Sequence, residues 1–180
     1  SFLIGIEAQK RNYEIFYYNP EDLSYNEGLV QADGYYVEFI ENNTTYFKCL
    51  SKKITINLDD VNFIFIRQDP PFDMNYITST YILDFVNYNT KVINNPTSIR
   101  NFSEKISAFE YKQFMAPTII SQNIKNIKNF LMKHKDIITK PLYGNGGSGI
   151  FRYKIQDNKL SKNFEGLTIL DEPLMVQKYI

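Results

Sequence analysis

Apolar residues recur along this chain with two different periods, and the alternation between them lays out the elements. Phe2, Leu3, Ile6 and Ala8 fit one face of a helix over Phe2 to Lys10. The stretch YEIFYYN, Tyr13 to Asn19, reads as a strand. Two aromatic-rich runs, GYYVEFIE and TTYFKCLS, are separated by Asn42-Asn43, a pair that tolerates left-handed turn conformations, and together predict a hairpin. Val61 to Ile66 is nearly continuous in apolar residues, the pattern of a strand buried on both faces. Pro70 and Pro71 stop it, and Met74, Ile77, Tyr81, Ile82 and Phe85 then recur at helical spacing as one buried side. Lys91 to Asn94 is the next strand, which makes a βαβ crossover and predicts an open parallel α/β sheet for the first half.

Asn95-Pro96 marks a boundary, and a helix is predicted from about Ser98 to Phe114. A strand at TIIS, a helix from Asn123 to His134, a strand from Asp136 to Pro141 and a strand in GIFRYKI follow. A polar excursion from Gln156 to Glu165 leads to a last strand in LMVQKYI.

Composition narrows the chemistry. Hydrophobic residues make up 43% of the 180 positions and aromatics 16%, enough to build a core. Twenty basic residues balance twenty acidic ones without a basic stripe, so a nucleic-acid partner has little support. No apolar run reaches the ~20 residues that cross a bilayer, and the N-terminus lacks the basic leader of a secretion signal. The lone Cys49 excludes an internal disulfide, suits a reducing cytoplasm and reads as an inert packed thiol. The single histidine, His134, sits near a helix end and reads as a surface residue favoured by the helix dipole. No Cys/His cluster suits zinc, and no Gly-x-Ser-x-Gly elbow is present, so acyl transfer through an enzyme nucleophile is disfavoured.

Two stretches carry candidate chemistry. In ITKPLYGNGGSGIFRY, Gly144, Gly146, Gly147 and Gly149 account for four of the eight glycines in the chain. Because a strand follows them, neither the P-loop nor the dinucleotide fingerprint applies, since both need a helix there. Bare backbone N–H groups can still form a concave nest for phosphate oxygens, with Lys140 placed to neutralise their charge. The alternatives are a flexible hairpin turn and a solvated lysine. In IRQDPPFD, Arg67, Asp69 and Asp73 cluster where a parallel strand ends. Arg67 has the geometry to grip a carboxylate, while Asp73 is better read as capping the helix that starts near Met74.

Four stretches, FIFIRQDPPFDMNYITSTYILD, VINNPTSIRNFSEKISAFEY, IITKPLYGNGGSGIFRY and LMVQKYI, resemble the bacterial glutathione synthetase family of the ATP-grasp superfamily, in that family's order. The glycine loop alone is shared by ATP-grasp proteins in general, whereas its combination with RQDPPFD is particular to this family. The resemblance implies an α/β fold: a pre-ATP-grasp, open parallel α/β domain over residues 1–98, then the first, lid-bearing part of an ATP-grasp domain over 99–180. It implies a cytoplasmic ligase that phosphorylates γ-glutamylcysteine with ATP and lets glycine displace the phosphate, giving glutathione.

Carried over by position, Lys105 and Lys140 would contact nucleotide phosphates. Gly144, Asn145, Gly146, Gly147, Ser148 and Gly149 would form a lid over them. Gln177, Lys178, Tyr179 and Ile180 would line the adenine pocket, and Arg67 and Asp69 belong to the substrate domain. The family's Mg²⁺ ligands have no counterpart in this sequence, nor does its opening strand, so a fragment without a complete active site is expected. The full-length family often forms homo-oligomers. Another ATP-grasp carboxylate–amine ligase, or a non-catalytic remnant, are the alternative readings.

Overall fold

The computed structural model describes residues 1–40, 45–156 and 172–180, in two compact units: residues 1–69 with 74–101, and residues 70–73 with 102–180. The Asn42-Asn43 turn and all but Gln156 of the polar excursion lie outside the described residues.

In the first unit, helix α1 (Phe2–Lys10) precedes strands β1 (Ile15–Tyr17), β2 (Leu23–Asn26), β3 (Leu29–Phe39), β4 (Phe47–Cys49) and β5 (Ile54–Asn57). The long β3 is the spine: β2 and β5 pair with its first half and β1 and β4 with its second, all antiparallel. The predicted hairpin is β3–β4, with Phe39 opposite Phe47. A tighter hairpin, β2–β3, turns on Glu27 and Gly28, both at positive φ (49° and 93°), the conformation that keeps two twisted strands paired across a two-residue loop. Cys49 is exposed, not packed: β4 is a three-residue strand whose pairing is to β3.

The βαβ crossover is present as β6 (Phe63–Phe65), α2 (Met74–Leu83) and β7 (Lys91–Ile93), with β6 and β7 parallel. Its burial differs from expectation. Ile64 and Ile66 enter the core formed with Leu23, Val30, Ala32, Leu58 and Leu83, while Phe63 and Phe65 remain 44% and 46% exposed, so the strand is buried on one face. Met74 and Tyr81 on α2 and Phe85 beyond its end are exposed, Ile82 packs against the core, and Ser79, Thr80 and Leu83 are buried. Hydroxyls tolerate burial there because they donate one turn back: Thr80 Oγ1 to the Ile77 carbonyl (2.7 Å) and Ser79 Oγ to that of Tyr76 (2.8 Å). Arg100, on α3 (Pro96–Asn101), donates to Thr80 Oγ1 (3.1 Å), pairs with Asp84 and lies 4.2 Å over the Tyr81 ring, so the aromatic side of α2 meets a guanidinium rather than the core.

The helix predicted from Ser98 to Phe114 is two pieces. It starts early, with Pro96 in the first turn and Asn95 Oδ1 accepting from the Ser98 N–H (2.8 Å), and α3 ends at Asn101. Residues Ser107–Phe114 form 3₁₀ turns kinked at Tyr111 (φ −113°, ψ 34°).

The second unit is a four-stranded antiparallel sheet in the order β10-β9-β11-β8: β8 (Thr118–Ser121), β9 (Asp136–Pro141), β10 (Phe151–Lys154) and β11 (Leu174–Lys178). Helix α4 (Ile124–His134) is capped by Asn123 Oδ1, which accepts from the Lys125 N–H (2.9 Å). Ile127 and Leu131 of α4 pack on Ile137, Tyr153, Leu174 and Val176 from one face of the sheet. His134 is half-buried with its ring 4.4 Å from that of Phe130, and burial first, then the nearby Lys133 and Lys178 charges, lower its pKa. Among the described residues no helix is long and apolar enough to cross a membrane.

Candidate functional site

Because β9 is paired on both sides, its side chains alternate strictly. Ile137 and Thr139 are fully buried toward α4, so Ile138 and Lys140 stand on the opposite face. Pro141 ends the strand, and the glycine-rich stretch then folds back against it. A Cβ on Gly149 would sit 2.7 Å from Pro141 Cγ, and the residue holds φ +71°, so glycine is required there on both counts. Gly146 (φ +59°) and Gly147 (φ +79°) have nothing within 4 Å of a would-be Cβ, which leaves their backbone bare on the open side. The Ser148 N–H donates to the Asn145 carbonyl (3.1 Å) and tightens the tip.

Lys105 comes from the break between the two helical pieces. Its ammonium donates to the carbonyls of Leu142 (3.1 Å) and Gly144 (2.6 Å), gripping the loop where it leaves β9. Lys140 reaches the same place from the sheet. Together with Glu104, Asn145, Ser148 and Met175, the two lysines and the loop backbone surround a pocket of about 270 Å³. Two cations and several exposed peptide groups around one cavity suit a polyanionic ligand.

Of the residues singled out in the sequence, Lys105, Lys140, Gly144, Asn145, Gly146, Gly147 and Ser148 line this pocket. Gly149 instead packs on Pro141. Gln177 touches the site through Lys140, whose Nζ donates to Gln177 Oε1 (2.7 Å). Lys178, Tyr179 and Ile180 are exposed at the end of β11; the Tyr179 ring lies 3.4 Å from the Arg152 guanidinium carbon, and Arg152 forms a bidentate pair with Asp136. Arg67 and Asp69 belong to the first unit and are exposed, with Arg67 Nε 3.4 Å from Ser1 Oγ. Burial raises the pKa of the neighbouring Tyr76, against the opposing Arg67 charge.

Sequence reasoning missed Glu104 and Met175. Glu104 was signalled only by adjacency to Lys105, and Met175 only by its register opposite Lys140. Among the described residues there is no group of three or more His, Cys, Asp or Glu able to hold a metal ion.

The profile of the prokaryotic glutathione synthetase N-terminal domain matches residues 1–100, and that of the prokaryotic glutathione synthetase ATP-grasp domain matches residues 104–180. The chain belongs to the prokaryotic glutathione synthetase family. Glutathione synthetases of Brucella melitensis and Agrobacterium fabrum are 38% and 39% identical to it over its whole length. The chain spans 58% and 56% of those two relatives. In fold it is similar to the D-alanyl-alanine synthetase A of Vibrio cholerae, with a TM-score of 0.54 at 12% identity over 99% of this chain and 54% of that one. The ATP-grasp profile, with this likeness in fold, gives the chain its α/β ATP-grasp architecture. The glycine loop and both lysines of the pocket fall within the part matched by the ATP-grasp profile.

Proposed function

We propose that this chain carries the phosphate-holding part of a glutathione synthase, which joins γ-glutamylcysteine to glycine at the expense of ATP through an acyl phosphate. The observation that carries the reading is the convergence of Lys105, Lys140 and the bare glycine loop on one pocket in a chain of the glutathione synthetase family. Phosphoryl transfer asks for positioned positive charge more than for a nucleophilic side chain, which fits a site with two ammonium groups. Lys140 would hold phosphate oxygens from the sheet. Lys105, with two of its three N–H groups on loop carbonyls, would tie the loop to the same phosphates with the third. The glycine loop would lie over them and keep water from the acyl phosphate. Magnesium accompanies ATP in this chemistry, and the described residues hold no group of three or more His, Cys, Asp or Glu that fits it.

Isothermal titration of the chain with Mg-ATP tests the nucleotide half of this reading: Lys140→Met is expected to weaken binding at least about tenfold, the loss of one charge-assisted contact. Phosphate release with γ-glutamylcysteine and glycine, omitting each in turn, tests the substrates in a protein that contains this chain and has the full length of its relatives. Release that depends on a different acid and amine would move the chain to another ATP-grasp ligase, and Mg-ATP binding insensitive to Lys140 would remove the pocket from the reaction.

A further inference from the structure

On the pocket face of the sheet, a row of polar side chains crosses three adjacent strands. Lys140 on β9 donates from Nζ to Gln177 Oε1 on β11 (2.7 Å), Gln177 Nε2 donates to Thr118 Oγ1 on β8 (3.0 Å), and Thr118 Oγ1 donates to the Ala116 carbonyl (2.7 Å). Gln177 and Thr118 are cross-strand partners, and Gln177 lies diagonally from Lys140, whose own partner on β11 is Met175. All three residues are partly buried.

The direction of this chain is not free. An ammonium has donors only, so the face of the Gln177 amide toward Lys140 must be its oxygen. A hydroxyl has one hydrogen, and that of Thr118 is committed to Ala116, so toward Gln177 it accepts. Each bond therefore dictates the polarity of the next, and a backbone carbonyl anchors the end. Were Thr118 to lose its hydroxyl, the amide NH₂ would lose its acceptor, and Gln177 would keep only the Lys140 bond to hold its side chain in place.

We propose that Thr118 is a positioning residue: acting through the Gln177 amide, it fixes the Lys140 ammonium on the pocket face with its two remaining N–H groups available to an anionic ligand. The proposal rests on reading Lys140 as a phosphate contact, but its geometric half is observable without a nucleotide.

The test is side-chain ¹H–¹⁵N NMR of lysine ammonium groups in the full chain, with the Lys140 signal assigned by its absence in Lys140→Arg, followed by Mg-ATP titration. In the unsubstituted chain and in Thr118→Ser, which keeps the hydroxyl, the Lys140 ammonium signal is expected to be resolved. In Thr118→Val it is expected to be lost to solvent exchange, with ATP bound about fivefold more weakly. Gln177→Leu leaves the Thr118–Ala116 bond in place and is expected to do the same, so the test survives if Thr118→Val does not fold. The double variant should weaken binding no further than either single one, as for members of one chain. An unchanged ammonium signal and unchanged affinity in folded Thr118→Val or Gln177→Leu would overturn the proposal, as would additive losses in the double variant. If the NMR effects appear but the unsubstituted chain does not bind ATP, the positioning role stands and the nucleotide reading falls.

Discussion

Strands β6 and β9 are both short, yet they are covered differently. β9 has a strand on each side and α4 across one face, and its alternation separates the fully buried Ile137 and Thr139 from the pocket residue Lys140. β6 pairs with β7; Ile64 is buried while Phe63 and Phe65 are nearly half exposed. The difference teaches that hydrophobicity of a run says little about which face is covered, whereas a charged residue set into a strand paired on both sides marks the face where something polar is to be met. Lys140 was informative because everything around it is packed; Phe63 and Phe65 were misleading because aromatic residues are common on half-open sheet faces.

The largest test of this contrast is a pair of truncations. Leu131 is 2% exposed within the cluster under β9, and Leu131→Ala is expected to cost about 3 kcal/mol through lost burial and the cavity left behind. Phe63→Ala, at 44% exposure, is expected to cost about 1 kcal/mol or less. Urea denaturation followed by far-ultraviolet circular dichroism measures both. Equal losses would mean that the outer face of β6 is covered in solution and that the contrast with β9 is false.

A smaller effect separates two kinds of glycine in the loop that β9 feeds. Gly149→Ala combines a positive φ with a 2.7 Å clash against Pro141 and is expected to cost about 2 kcal/mol. Gly146→Ala meets open space and bears only the strain of φ +59°, about 1 kcal/mol. The same denaturation measurement ranks them, and a reversed order would show that the loop in solution does not lean on Pro141.

How much of this was legible before the structure depends on which force sets each feature. The βαβ crossover, α4 with its Asn123 cap and the strand–loop–strand setting of the glycines follow from periodicity and local capping, so the sequence displays them. β2 and β5 were missed because each is a four-residue strand held by pairing to β3, a long-range contact with no local signature. The buried side of α2 was read only in part: Ile82 packs on the core, but Thr80 is held by a hydrogen bond from Arg100, twenty residues away, and hydroxyls that bond back to their own helix do not look like core residues in a hydrophobic pattern. Within the site, Lys140 and the loop were readable as residue types and Lys105 only through the family resemblance, while Thr118 had nothing local to mark it, since its role exists only through two neighbouring strands.

The finest test concerns the far end of β9, where Asp136 accepts from Arg152 Nε (2.9 Å) and Nη2 (2.7 Å). Those hydrogen bonds, then the Arg152 and Lys154 charges, hold the Asp136 carboxyl below its ordinary value near 3.8, against the opposing effect of burial. A carboxylate whose folded pKa is depressed adds stability that is fully present above the unfolded pKa and is lost as pH falls through the folded one. With side chains 39% and 29% exposed, solvent screens the pair, so its contribution is at most about 1 kcal/mol. Arg152 also stacks on Tyr179, which ties β10 to the end of β11 by packing that does not titrate. Two variants separate the contributions. Asp136→Asn removes the ion pair and keeps the stack; its deficit relative to the unsubstituted chain is expected to be constant from pH 7 to 5, to close below pH 4 and to shrink in high salt. Arg152→Met removes both, so the part of its deficit that survives at low pH measures the stack. If the Asp136→Asn deficit persisted undiminished at pH 2, the carboxylate would be acting as a packed side chain rather than as a charge, and the two ends of β9 would differ less than their residues suggest.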